Sequence, residues 1–337
     1  MRVLIVHRGV LPGPGRAVTG GALRAWRHGQ ALQQAGHEVF YLSPAAETPG
    51  GYSDIRDLTW RARHLTADRI VCVSMDAAPA LGTLGVPLAV DLYQARLLES
   101  PFAGRLARAG VQYLRALAVG STFIVTHPRE RWSWLSVMAL AGIDVRSDPV
   151  LVVPPVAPAP PERKTSAEPM FVTGGSSWPW HDPRPALRRV LDHLDRRGTG
   201  RLVWFGGAPL LSDALDAPES EVKRVWSLPE HPRLERAGWV PYTELLRRYG
   251  QATAAIDLAA AHPARALRIS HRQVDYLGCR LPVLTSPDAA IAEDLGEAGI
   301  VTEDVEGGID RFLDDPPAVQ AMRAAAAHRV EQRYASA

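Results

Sequence analysis

In the segment RALRISHRQVDYLGCRLPVLT, Ser270 and Gln273 stand three apart. That is the spacing of a capping box, and it predicts a helix starting at Ser270. Arg268, His271 and Arg272 then crowd the positive end of the helix dipole, where cations are unfavourable unless an anion is held between them. A phosphate group is the natural anion, and a solvated basic turn is the plain alternative. Asp275, lower on the same helix, suits acceptance from a ribose hydroxyl or pairing with an arginine.

Two glycine-bearing loops extend this chemistry. Thr19-Gly20-Gly21 lies directly before a predicted helix, so bare backbone N–H groups there would meet an anion where the dipole favours it; the same glycines also serve a sharp turn by themselves. The segment GGSSWPWHDP brings Gly174, Gly175, Ser176, Trp178 and Trp180 together, a composition suited to wrapping a polar ligand against aromatic faces or to plugging a core. Trp239, between Gly238 and a helix predicted near Pro241, suits stacking on a base as well as core packing. In VDLYQARLLES, Asp91 and Glu99 flank a strand end, and one of them is a candidate general base; capping or a surface ion pair is the commoner use.

Other chemistries lose support. No His, Asp, Glu or Cys cluster has metal-ligand spacing, no Gly-x-Ser-x-Gly elbow occurs, and no phosphate loop ends in Gly-Lys-Ser or Gly-Lys-Thr. GVLPGPGRAVTGG does not give Gly-x-Gly-x-x-Gly at its turn, which weakens a dinucleotide-dependent oxidoreductase.

These residues need scaffolds. The 337 residues are enough for two domains at roughly 150 residues each. Apolar residues at 46% and charged residues at 22% give an ordinary globular balance, and 38 basic against 36 acidic residues leave +2, no field for nucleic acid. Two distant cysteines, Cys72 and Cys279, suggest neither a disulfide framework nor a metal site, and a reducing compartment fits them. The apolar run Val3 to Val6 is too short for a signal peptide core or a membrane span, so a cytoplasmic protein is expected.

The opening run Arg2 to His7 lacks alternation, as in a strand buried on both faces of a parallel sheet. A helix with Ala22, Ala25, Trp26, Gly29 and Leu32 on one face follows, then a strand from Val39 to Leu42. Short apolar runs recur at Arg69 to Val73, Leu88 to Val90 and Phe123 to Thr126. Six prolines from Pro154 to Pro169 predict a linker. Beyond it the pattern restarts: a strand at Met170 to Thr173, a helix capped by Asp182 with Leu187, Val190, Leu191 and Leu194 as its buried stripe, and strands at Leu202 to Phe205, Ala254 to Leu258 and Pro282 to Thr285. The domains expected are 1–153 and 170–337, joined by 154–169. The stretch Arg105 to Arg115 is basic and partly amphipathic, so a surface helix is expected there, with peripheral contact to an anionic membrane the most it would do at a bilayer.

At these residues the sequence resembles the GT-B glycosyltransferases of the family-four type, along nearly the whole chain. The resemblance rests on Asp91-Leu92-Tyr93 with Glu99, on RERWSWLSVMALAG, on Gly174, Gly175, Trp178, Trp180, Asp182 and Pro183, and on Gly238 to Tyr242. It ends with Arg268 to Leu277 and Leu281-Pro282-Val283. It implies an α/β fold of two Rossmann-like domains facing each other across a cleft. It also implies a metal-independent, retaining transfer of a hexose from a nucleoside-diphosphate sugar, as in carbohydrate biosynthesis, with that sugar as co-substrate and no other cofactor. The acceptor stays open: a glycan, a lipid-linked group or a small molecule.

Carried over, Gly174, Gly175, Ser176, Trp178, Arg268, Ser270, His271 and Arg272 would face the diphosphate. Asp275 would hold the ribose, and Gly20 and Gly21 would close over the phosphates. The sequence departs from the family where a glutamate usually contacts the donor sugar, carrying His262-Pro263-Ala264 in that region; Asp257 is the nearest carboxylate and reads as a strand end. This leaves a catalytically silent nucleotide-binding or partner subunit as the second reading. The final residues from Arg333 fall where many relatives begin a helix returning to the first domain, which allows a homo- or hetero-oligomer.

Overall fold

A computed structural model describes residues 1–44, 50–93, 96–99, 106–164, 166, 168–176, 178, 180–207 and 230–335. The chain divides into two compact units: Met1–Pro12 with Val18–Pro155, and Gly13–Ala17 with Val156–Ser336.

The first unit runs β1 (Arg2–Val6), α1 (Gly20–Gln34), β2 (Glu38–Leu42), α2 (Ile55–His64), β3 (Arg69–Cys72), α3 (Ala78–Gly82), β4 (Leu88–Asp91), α4 (Arg96–Glu99), α5 (Leu106–Leu117), β5 (Thr122–Val125), α6 (Pro128–Leu140) and β6 (Val150–Val152). Its strands pair in parallel in the order β2-β1-β3-β4-β5-β6. Alternate residues of β1 serve opposite faces, as the pleat requires. Leu4 and Val6 join a core with Leu58 of α2, Tyr113 of α5 and Trp134 of α6, whereas Ile5 packs with Ala25 of α1. One sheet face therefore carries α2, α5 and α6, and the other carries α1. Thr19 caps α1 by accepting the Ala22 N–H, so Gly20 and Gly21 form the helix's first turn.

The second unit runs β7 (Met170–Thr173), α7 (Arg184–Arg197), β8 (Arg201–Phe205), β9 (Leu234–Gly238), α8 (Tyr242–Gln251), β10 (Ala254–Asp257), α9 (Pro263–Leu267), α10 (His271–Gly278), β11 (Val283–Thr285), α11 (Ile291–Leu295), β12 (Gly299–Val301), α12 (Val305–Asp314) and α13 (Pro316–Arg333). Its parallel order is β12-β11-β10-β7-β8-β9, which is the doubly wound arrangement with its reversal between β7 and β10. The stripe expected on α7 is buried in full. That helix begins one residue later than the sequence suggests, and Asp182 instead accepts the Arg184 N–H with its side chain.

The prolines of the expected linker deny regular structure, and two of them are seated on the second unit. Pro158 lies where a Cβ on Gly278 would sit, 2.5 Å away, and Pro161 does the same over Gly250 at 2.8 Å. Ala157 donates its N–H to the Tyr334 carbonyl. Glycine at 250 and 278 is thus the condition for the proline segment to lie flat on α8 and α10.

Among the described residues no helix is long and apolar enough to cross a membrane.

Candidate functional site

The reversal in strand order of the second unit opens a crevice at the carboxyl ends of β7 and β10, the place where doubly wound sheets bind ligands. A pocket there is lined by Thr173, Gly174 and Ser176 from the end of β7, Asp257 from the end of β10, and His181 and Arg272, with Pro183, Trp204, Ile256 and Leu258 as its apolar wall.

Arg272 organises this pocket. Its Nη1 donates to the Gly174 carbonyl at 2.7 Å, and its Nη2 donates to Asp257 at 2.9 Å and to His181 Nε2 at 2.8 Å. Its Nε is buried with no hydrogen-bond partner among the described residues. Asp257 is buried at the foot of the cluster. It accepts from the Gln273 side-chain amide at 2.7 Å, and Arg265 lies 3.4 Å from its carboxylate while donating to its backbone carbonyl. Burial alone would raise this carboxyl's pKa; the Arg265 and Arg272 guanidiniums, with His181 and Gln273, outweigh burial and hold it well below the usual carboxylate range. His181 moves the other way. Burial first, then Arg272 and Arg265, keep its ring neutral, and because Nε2 accepts from Arg272 the proton belongs on Nδ1.

The loop's path depends on glycine. Gly175 has φ +101°, and a Cβ there would stand 2.9 Å from Arg272 Nη1; Gly206, at φ +92°, lets β8 pass so close that a Cβ would be 2.3 Å from the Gly175 carbonyl oxygen. Beyond Ser176 the chain doubles back. His181 donates its N–H to the Trp178 carbonyl, and Trp178 stacks on Trp180 at 4.8 Å and 14°. Trp180 is buried and Trp178 half-buried, so one ring plugs the fold and the other covers it. Ser177 and Pro179 of this segment lie outside the described residues.

The capping box at Ser270 is present as predicted. It also engages the Ser270 hydroxyl, which accepts the Gln273 N–H. His271 is buried beside it. Asp275 is buried and accepts the Tyr242 hydroxyl at 2.7 Å, tying α10 to α8. Of the residues expected on a ligand, Gly174, Ser176 and Arg272 line the pocket and Gly175 packs on Arg272; Arg268, Trp178, Trp239, Ser270, His271 and Asp275 do not line it. Arg268 still contributes positive charge, since it helps depress the His181 pKa.

Sequence reading missed His181, Gln273 and Arg265 as site residues and took Asp257 for a strand end only. The available signal was an aspartate closing a buried strand with arginines 8 and 15 residues later.

In the first unit, Asp91 closes β4 and is fully buried. Its Oδ2 accepts from Arg24 Nε and His28 Nε2, both at 2.7 Å, and its Oδ1 accepts the Tyr93 N–H at 3.0 Å. Burial opposes its charge, but Arg24 and His28 hold its pKa low. A carboxylate engaged on both oxygens and held ionised is a weak proton acceptor, and in this structure Asp91 anchors α1 to the end of β4. Gly20 has a packing reason of its own, because a Cβ there would stand 2.7 Å from the Tyr93 hydroxyl; a Cβ on Gly21 would meet nothing within 4 Å.

Among the described residues no three His, Cys, Asp or Glu side chains are grouped to hold a metal ion.

With this geometry in view, residues 184–337 match a family model described as glycosyl transferase-like. No curated protein sequence matches the chain. Solved structures match it along nearly its whole length. Sucrose-phosphate synthase of Thermosynechococcus elongatus has a TM-score of 0.69 at 15% identity, covering 99% of this chain and 95% of the other. Anabaena HepE, solved with UDP and glucose, gives 0.63 at 14% identity over 100% and 96%. AviGT4, a glycosyltransferase of avilamycin A biosynthesis, gives 0.62 at 16% identity over 99% and 93%. At these identities the likeness is one of fold, and the fold is GT-B: two Rossmann-like units, each built on a six-stranded parallel sheet.

Proposed function

We propose that this protein is a glycosyltransferase of the family-four type that moves a sugar from a nucleoside-diphosphate donor to an acceptor. The observation that carries the proposal is the Arg272 guanidinium, held by Asp257, His181 and the Gly174 carbonyl at the switch point of the second sheet. Held in this way, it meets an anion without reorganising, and such preorganised charge acts most strongly where negative charge develops. Arg265 and Arg268 add to the positive field, while Asp257 is the one carboxylate lining the pocket among the described residues. The solved complexes of HepE with UDP and glucose support a nucleoside diphosphate as the ligand.

In this reading Gly174 to Ser176 and Arg272 hold the diphosphate, and Arg268 and Arg272 stabilise it as it departs. No metal ion is required for that step, and the anomeric configuration is retained, as the family resemblance implies. Asp275 accepts the Tyr242 hydroxyl and does not line the pocket, so we assign it to positioning α10.

Calorimetric titration with uridine, guanosine, adenosine and thymidine diphosphates tests the proposal, using the native chain and Arg272→Lys, which keeps the charge but loses the fork. One diphosphate should bind the native chain, and the variant should bind it on the order of tenfold more weakly or worse, about 1.4 kcal/mol. Binding of none would overturn the proposal. Binding without release of sugar from any donor would leave a nucleotide-binding subunit.

A further inference from the structure

Seven of the ten large apolar side chains exposed among the described residues lie on only three helices of the first unit: α2, α5 and α6. These helices share one sheet face, so their outer surfaces form one layer. Scattered exposed leucines are ordinary, whereas a concentration of them on one layer marks a contact surface.

On α5 the pattern is resolved residue by residue. Ala109, Tyr113, Ala116 and Leu117 face the core. Ala107, Val111, Leu114 and Ala118 are exposed and spaced at i, i+4, i+7 and i+11, so they form an apolar line on the outward side. Arg108 and Arg115, both exposed and seven residues apart, border that line on one side. The helix carries no acidic residue. The other two helices on this sheet face expose tryptophans: Trp132 of α6 is 65% exposed with Arg131 over its ring, and Trp60 of α2 is 57% exposed.

Charge decides what fits this layer. The three helices hold seven arginines and two carboxylates, Asp57 and Glu130. Glu130 is buried on Thr126, Asp57 pairs with Arg61, and Arg131 pairs with Asp148 of the following loop, while Arg56, Arg63, Arg108 and Arg115 are exposed. The outward charge is therefore cationic in a protein whose total is only +2. An apolar line with arginines along one side, on a layer that also exposes two tryptophans, matches the boundary between lipid headgroups and acyl chains: tryptophan prefers that depth, and arginine reaches from an apolar surface to phosphate.

We infer that the α2–α5–α6 layer docks this protein on an anionic lipid surface, with Val111 and Leu114 entering the interface and Arg108 and Arg115 meeting headgroup phosphates. The inference is independent of what the second unit binds. The attraction of these arginines to such a surface weakens as salt rises.

Co-sedimentation of the full chain with two vesicle types tests it: phosphatidylcholine alone, and phosphatidylcholine with about one-third phosphatidylglycerol. The native chain should sediment with the anionic vesicles only, and less as salt is raised. Val111→Glu with Leu114→Glu should lose on the order of tenfold or more in binding while its circular dichroism and melting stay native, since both positions are exposed. Should that variant fail to fold, Arg108→Gln with Arg115→Gln serves instead and should weaken sedimentation with the anionic vesicles. Equal sedimentation with both lipids, sedimentation with neither, or native behaviour of the variants would overturn the inference. So would a native dimer in light scattering that the glutamate variant disperses, because the layer would then be a contact between copies of this chain.

Discussion

The two ends of one side-chain amide divide the labour between Gln273 and Asp257: Gln273 Nε2 donates to the Asp257 carboxylate at 2.7 Å, while its Oε1 accepts the Ser270 N–H at 2.8 Å. The cap that starts α10 and the carboxylate that holds Arg272 are thus one hydrogen-bonded unit.

Removing that amide should damage both. Gln273→Ala forfeits half of the capping box and one acceptor contact of a buried carboxylate, a loss of about 2 kcal/mol in urea unfolding. The same variant should weaken nucleoside diphosphate binding in calorimetry, because Arg272 loses a fixed partner. Unchanged affinity alongside lost stability would confine Gln273 to the cap.

Gly206→Ala tests the close passage of β8 against the glycine loop. The new Cβ would need φ +92° and a 2.3 Å approach to the Gly175 carbonyl oxygen. We expect a loss of about 2–3 kcal/mol in chemical unfolding, together with weaker diphosphate binding. Native stability would show that the loop has room to move aside.

Asp91→Ala should behave as the loss of a buried ion-pair partner. It leaves Arg24 in the interior beside a neutral His28, at a cost of about 3 kcal/mol or more, measured by thermal melting with calorimetric enthalpies. Melting close to native with turnover abolished would return Asp91 to the role of a base.

Acid stability has a marked contributor in the first unit. His7, at the end of β1, is fully buried, and burial lowers its pKa from 6.5 to about 4, with only the Arg8 carbonyl opposing. The unfolded chain takes up that proton near pH 6.5 and the folded chain near 4. Between these values the unfolded state binds more protons, so stability is full above pH 6.5 and falls as pH drops towards 4, by about 3 kcal/mol for this group. His7→Leu should leave stability near pH 7 little changed and flatten the decline between 6.5 and 4 in urea titrations. An unchanged slope would assign the acid sensitivity elsewhere.

The interior strands were legible because a strand buried on both faces must be apolar throughout, as Val3 to Val6 and Leu202 to Phe205 are. Edge strands carry no such constraint. β9 reads Leu-Glu-Arg-Ala-Gly and holds its place partly through Glu235, which pairs with Arg201 of β8, so nothing in its local pattern marks a strand. The cap at Ser270 was legible because capping is local. The Asp257–Arg272 pair joins residues 15 apart across a strand end and a helix start, and His181 arrives from the far side of the glycine loop. Such a site is written in tertiary contacts, and sequence spacing exposes only its most local part. Asp275 shows that spacing alone did not disclose a partner from another helix: its carboxylate accepts the Tyr242 hydroxyl.

Among the described residues every strand pair in both sheets is parallel, and this governs how the chain acquires its structure in time. Parallel neighbours cannot be joined by a tight turn, so no ladder closes until the intervening chain has been looped back, and such topologies fold slowly. The strands of the first sheet are complete in sequence by Val152, so a ribosome delivers all six before the first strand of the second sheet, Met170, has been made. Synthesis itself thereby separates two sets of strands with the same apolar character, which refolding from denaturant must sort simultaneously.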